Sequence, residues 1–267
     1  MAPLRAYEPS GKVGVILNGT FVFLGVLGLW LAASGLGLVS AFLLPGPLVV
    51  VRTGWELVQD GSLQRHIAIS VQRVLLGYGL AVAIALPLAL GFGLLPRLRA
   101  LFEPPLEFLR QIPPLALLPL LLLWLGIGEA QKVGVIVLAC FFPIFLGALG
   151  GIAQADPKLV EVGRACGLSR AEILHRIVLP GSLPQLVVGL RIGLGYSWRA
   201  LVGAELIASS AGLGYMIVDA ENLARTDIVL VGVLVIGILG LCADFLARAA
   251  VRRGAPWLRQ HVELGRA

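Results

Sequence analysis

Residues 161–180 read EVGRACGLSRAEILHRIVLP, a polar interruption between two long apolar runs, and the reading of this stretch decides the fold. Just before it, Asp156-Pro157 is a helix start: an aspartate at the N-cap precedes a proline whose missing amide hydrogen costs nothing at the first helical position. Gly167 stands where that helix must end in a left-handed residue. Ser169-Arg170-Ala171-Glu172 then fits a capping box, the serine oxygen taking a first-turn amide and the glutamate reaching back, so a second helix begins at once. Its apolar residues Ile173, Leu174, Ile177 and Val178 fall on one side, and Pro180 with Pro184 is expected to stop it. The expectation is a rigid helix, glycine bend and second short helix displayed in water. The other reading is a plain amphipathic connector lying on a membrane.

Outward from this stretch the chain is apolar. Of its 267 residues, 58% are hydrophobic and 13% charged, with a mean hydropathy of +0.93, which excludes a soluble globular domain. A span needs roughly 20 mostly apolar residues to cross about 30 Å of hydrocarbon. Six runs fit: 13–33, 66–95, a proline-interrupted 112–128, 133–152, 186–207 and 228–247. The expected fold is therefore all-α, a polytopic membrane protein of about six transmembrane helices. The first run is too long for the apolar core of a signal peptide and is read as a retained span. Pro45-Gly46-Pro47 breaks the chain after it, and an amphipathic piece around Val50–Val58 is expected to lie at the membrane surface. Residues 100–111 read as a polar linker.

The net charge of +6 follows membrane topology and not nucleic acid, because the basic residues flank apolar runs. Of the 21 lysines and arginines, Arg52, Arg65, Lys132 and Arg225 fall on one side of the six-span arrangement and Arg73, Arg191 and Arg199 within spans, leaving fourteen on the other side. That bias places both termini and the 161–180 stretch in the cytoplasm. The cysteines, Cys140, Cys166 and Cys242, lie in three separate segments and suggest packing residues, neither disulfides nor a metal cluster. His66, His175 and His261 are scattered, so no metal site or hydrolytic triad is expected. Ser10-Gly11-Lys12 lacks the upstream glycine of a phosphate loop and is followed by Val13, so no nucleotide site is expected and energy must come from another chain.

With these residues in place, the chain resembles a known family. Glu161, then Gly167, then Ile177 and Leu179-Pro180 match at every position the spacing of the EAA loop of ABC importer permeases. The match departs at Val162 and Gly163, where that pattern usually has two alanines; a glycine there loosens a helix by roughly 1 kcal/mol relative to alanine. RQIPPLALLPLLLLWLGIGE (110–129) and AELIASSAGLGYMI (204–217) resemble the branch of permeases that import sulfonates, taurine, nitrate or bicarbonate. The resemblance implies a type I ABC importer permease fold in a bacterial inner membrane. It divides the chain into an N-terminal part, 1–62, a permease core, 63–253, holding a coupling loop at 153–183, and a tail, 254–267. It implies that Glu161, Ala165, Gly167, Leu168, Ser169, Glu172, Ile173, Ile177, Leu179 and Pro180 dock on a separate ATPase, which carries ATP and magnesium, while this chain holds no cofactor. It implies two further partners, a second copy of the chain and an extracytoplasmic binding protein. Aliphatic sulfonate or taurine is the expected cargo, with nitrate or bicarbonate as the alternative and an ion-gradient-driven transporter or a membrane assembly subunit as the rivals from other classes.

Candidates for substrate passage come from charges within spans, where an ionisable side chain is costly. Arg191, Trp198 and Glu205 recur every seven residues of the fifth span, with Gly195 beside them, Arg199 within about a quadrant of Arg191, and Arg73 on the second span. An anion passing that face would meet two guanidiniums and an aromatic wall. Against this, Arg191 could snorkel to headgroups and Glu205 could pair with Arg199 or Arg73. Gly189 with Gly193, and Gly147 with Gly151, form small-xxx-small pairs that point to a tight helix core or a dimer seam.

Overall fold

The structure, a computed structural model, describes residues 12–254 and 257, with side chains from residue 21 onward except residue 23. The two tails and the basic residues Arg5, Arg259 and Arg266 lie outside them. The described residues form helices α1 (Lys12–Gly35), α2 (Pro47–Gln59), α3 (Ser62–Leu94), α4 (Pro96–Arg110), α5 (Leu118–Leu125), α6 (Glu129–Ala153), α7 (Pro157–Ala165), α8 (Arg170–Ile173), α9 (Leu179–Ala208), α10 (Leu213–Asn222) and α11 (Thr226–Gly254). Among the described residues, α3, α6, the continuous run Arg170–Ala208 and α11 are each long and apolar enough to cross a membrane. The α7–α8 segment lies at one end of this bundle, the loop end. The starts of α3, α6 and α11 gather at the other, far end with α2 and α10.

The third run differs from its expected form. Residues 96–110 are a helix and not a polar linker: leucines and phenylalanines on α4 (Leu101, Phe102, Phe108, Leu109) alternate with its ion-pairing residues, as in Arg99–Glu103. The chain then bends by 88° and continues as a single 3-10 turn, Pro114–Leu117, followed by the eight residues of α5. Pro113, extended at φ −60° and ψ 128°, and Pro114 supply no backbone donors and mark the break, so α4 and α5 form either a broken span or a re-entrant loop.

The fifth run differs in the opposite sense. Pro180 and Pro184 do not stop the preceding helix. Residues 174–178 form one π turn, and α8, this turn and α9 run on as a single helix. A π turn bonds its amides five residues back instead of four, and this wider turn lies directly before Pro180, where an α-helix would need the amide that proline lacks. The second helix of the capped stretch and the fifth run are thus one rod.

Packing centres on α3, α6 and α9. Ala81, Ala85 and Ala89, spaced four apart on α3, are fully buried against Ile136, Cys140 and Ile144 of α6. Between α6 and α9 the backbones nearly touch. A Cβ on Gly147 would lie 2.6 Å from Gly189 Cα, one on Gly151 would lie 2.6 Å from the Ser182 carbonyl oxygen, and one on Gly193 would meet Ile144. The small-residue pairs therefore form a seam inside this chain, and of the two readings open for them the tight helix core is the one observed. The buried Cys140 thiol donates to the Gly193 carbonyl across the same seam (3.3 Å).

Candidate functional site

The capped stretch is built as its residues dictate. The Asp156 carboxylate accepts the Lys158 amide, opening α7. At its close, Gly167 adopts φ +79°, its N–H donates to the Arg164 carbonyl and the Leu168 N–H to the Gly163 carbonyl, the paired bonds of a Schellman ending. Two residues on, the Ser169 and Glu172 side chains each take the other residue's backbone amide, completing the capping box. Glu161, Ala165, Ser169 and Pro180 are exposed, Ile173 is buried, and Leu168, Glu172, Ile177 and Leu179 are half-buried. Gly163 is also buried. A Cβ there would lie 2.8 Å from Ile177 Cδ1 and 3.4 Å from Ile173, so the glycine lets α7 settle onto the start of the rod. The feature that reads as a loosened helix is the point where α7 meets the start of the rod.

At the far end of the rod, Glu205 is fully buried, with no side-chain exposure. Its carboxylate receives the Ser70 hydroxyl (2.8 Å), Arg73 Nη1 (2.6 Å) and the Gly214 N–H (2.8 Å). Arg73 also donates through Nε and Nη2 to both oxygens of Glu129 (2.6 Å each), and Glu129 takes Lys132 Nζ at 3.2 Å. Two cations and two carboxylates thus balance, Arg73, Lys132 and Glu205 being buried and Glu129 exposed at the rim. Of the two partners open to Glu205, the structure selects Arg73.

The seven-residue stripe does not form one open wall. Trp198 is packed in the core between α3 and α6, and Arg73 and Glu205 face each other inside it. Arg191 pairs with Asp244 of α11 (3.1 Å), which Arg248 also contacts. A stripe at helical spacing marks the face a helix buries, and here that face is turned to the bundle. The open face of α9 carries instead Ile192, Gly195, Tyr196 and Arg199, with the Arg199 guanidinium 5.6 Å from the centre of the Tyr196 ring.

Beside this face lies an open cavity of about 670 Å³ between α4, the proline break after it, α6 and α9. Its wall is mostly apolar, from Leu138, Phe142 and Leu146 on α6 and Val188 and Ile192 on α9, with polar groups from Arg110, Gln111, Gln185 and Tyr196. Such a lining answers a charge at few points and offers no deep well. Sequence reasoning missed Arg110 and Gln185. The available signal was a lone glutamine in an apolar run and an arginine beside a proline break.

Residues 79–254 match the family described as binding-protein-dependent transport system inner membrane component. The chain is 39% identical over 254 residues to the taurine transport system permease protein of Escherichia coli (strain K12), covering 93% of this chain and 92% of that one. It is 36% identical over 250 residues to a Bacillus subtilis (strain 168) protein named for aliphatic sulfonates transport permease, covering 94% and 91%. Among solved structures, the MetNI methionine ABC transporter in inward-facing conformations is similar at a TM-score of 0.57 and 18% identity, over 70% of this chain and 95% of that one, which shows the shared fold.

Proposed function

Because this chain belongs to the family of binding-protein-dependent transport system inner membrane components, a membrane permease with the type I ABC importer fold, we propose that it passes an aliphatic sulfonate or taurine across the bacterial inner membrane. A separate ATPase, carrying ATP and magnesium, grips residues 161–180 from the cytoplasm. A binding protein delivers substrate from the opposite side, and a second copy of this chain completes the pathway. The observation that carries the coupling is the continuity of Arg170–Ala208: the second helix of the capped loop and the helix that walls the cavity are one rod, so a displacement of that end moves the wall.

In this reading Arg199 and Arg110 meet the sulfonate group, Tyr196 and the α6 aromatics face its aliphatic part, and Gln185 supplies a neutral donor. Arg191, tied to Asp244, keeps α9 beside α11. A sulfonate spreads one charge over three oxygens and suits a guanidinium whose donors lie in a plane. The substrate class rests on the two relatives named above.

The test is uptake by proteoliposomes holding this chain with its ATPase and binding protein. ATP-dependent accumulation of labelled taurine or an alkanesulfonate is expected. Gly167→Pro should abolish it, since proline cannot adopt a positive φ, and Arg199→Ala should lower it about tenfold, a charge-assisted contact being worth roughly 1.5 kcal/mol. Accumulation of nitrate with no sulfonate uptake would reject the substrate, and full uptake by Gly167→Pro would reject the coupling.

A further inference from the structure

The node around Glu205 joins more than two helices. The Leu213 N–H donates to Ser70 Oγ (2.9 Å), the Gly214 N–H to Glu205 Oε2 (2.8 Å), and the Gly212 N–H to His66 Nδ1 (3.0 Å). The opening amides of α10 are therefore held by side chains of α3 and α9, in place of a cap from the chain just before it. Arg73 closes the arrangement by reaching the Ala211 carbonyl at 2.6 Å.

The glycines flanking Leu213 make this approach possible. A Cβ on Gly212 would lie 2.2 Å from the Glu205 carboxylate, and one on Gly214 would lie 2.6 Å from Glu205 Cβ. Both positions must lack a side chain for the carboxylate to sit where it does. One donor to Glu205, the Gly214 N–H, belongs to α10, and the other two, Ser70 and Arg73 of α3, themselves hold the Leu213 N–H and the Ala211 carbonyl at the start of α10. Parting α9 from this node would strand a buried charge, so α3, α9 and the start of α10 are held as one piece.

Glu205 lies three residues from the end of the rod that begins at Arg170 in the capped loop. At the other side of the joint, α10 carries exposed Asp219 and Glu221 on the far face. We propose that Glu205, held by Arg73, is a positioning residue that fixes α10 to the coupling rod, so that contact of the binding protein with the far face is felt at the ATPase-docking loop. This rests on the transport reading above. A static staple that merely holds the fold together is the competing role, and it would affect assembly and every activity together.

The experiment uses the complete transporter in lipid nanodiscs, measuring ATP hydrolysis with and without saturating taurine-loaded binding protein. Glu205→Gln keeps the shape and removes the charge; it is expected to assemble, to hydrolyse ATP at the basal rate, and to lose stimulation about tenfold, within the usual range of coupling between sites. Glu205→Asp should recover part of it. Ser70→Ala, which removes one donor and leaves the ion pair, is expected to lower stimulation about threefold and decides the matter where Glu205→Gln fails to assemble. Assembled variants with full stimulation, or with basal and stimulated rates falling in proportion, would overturn the proposal. A wild-type complex indifferent to its binding protein would overturn the transport reading itself, and this inference with it.

Discussion

Gly167 and Gly163 are four residues apart in one loop, yet substitution by alanine has different consequences at each. Gly167 holds φ +79° with open space around it, so alanine there meets only the backbone cost of the left-handed region, about 1 kcal/mol. In the docking proposed above this turn orients α7 toward the ATPase, and the expected result for Gly167→Ala is an affinity for the ATPase lowered about fivefold in a binding titration. At Gly163 alanine gains roughly 1 kcal/mol of helix propensity and presses on Ile177 Cδ1, a terminal methyl that can turn aside. The two effects oppose each other, and Gly163→Ala should leave that affinity within about twofold of wild type. Equal losses at the two sites would show that the turn geometry is not what the partner reads. The EAA-like spacing made both positions visible in the sequence. The contact that changes the meaning of Gly163 is tertiary, and no local pattern carries it.

Among the elements, α6 and α9 are the most extensively packed pair, and backbone meets backbone along their Gly147–Gly189 contact. Added atoms there have nothing flexible to displace, unlike a side chain that can rotate. Gly147→Ala is expected to cost about 1–3 kcal/mol, read as a lower melting temperature of the detergent-solubilised protein. Gly150→Ala provides the comparison: its nearest neighbour would be Gln185 Cγ at 3.8 Å, so this substitution should raise the melting temperature slightly through helix propensity. Equal losses at both positions would remove the backbone contact as the cause. The small-xxx-small spacing was legible in the sequence, and so were four of the six apolar runs, each as a single helix: α1, α3, α6 and α11. The α8–α9 rod was not, because proline reads locally as a stop while the π turn that accommodates it has no composition of its own. The buried role of Trp198 and Glu205 was hidden for a related reason: spacing tells which residues share a face but not which face looks inward. Glu205 found its partner on α3, 132 residues away in sequence.

For the molecule as a whole, the order of the helices puts the 161–180 loop and the Arg248–Arg253 end of α11 at one end of the bundle, and Glu129, Glu205 and α10 at the other. Helix packing alone leaves open which end faces the cytoplasm. The basic residues favour the loop end, since a cytoplasmic surface accumulates lysine and arginine. The native cysteines turn this into a measurement. Cys166 is exposed at the close of α7, Cys140 is buried, and Cys242 lies along the apolar length of α11, where hydrocarbon keeps a polar reagent away. A membrane-impermeant maleimide should therefore label inside-out vesicles and leave right-side-out spheroplasts unlabelled, with the signal lost in Cys166→Ser. Co-expression of the ATPase should lower the labelling further, because the docking partner covers α7. Labelling of intact spheroplasts through Cys166 would place the loop outside, where no ATP-driven subunit could reach it.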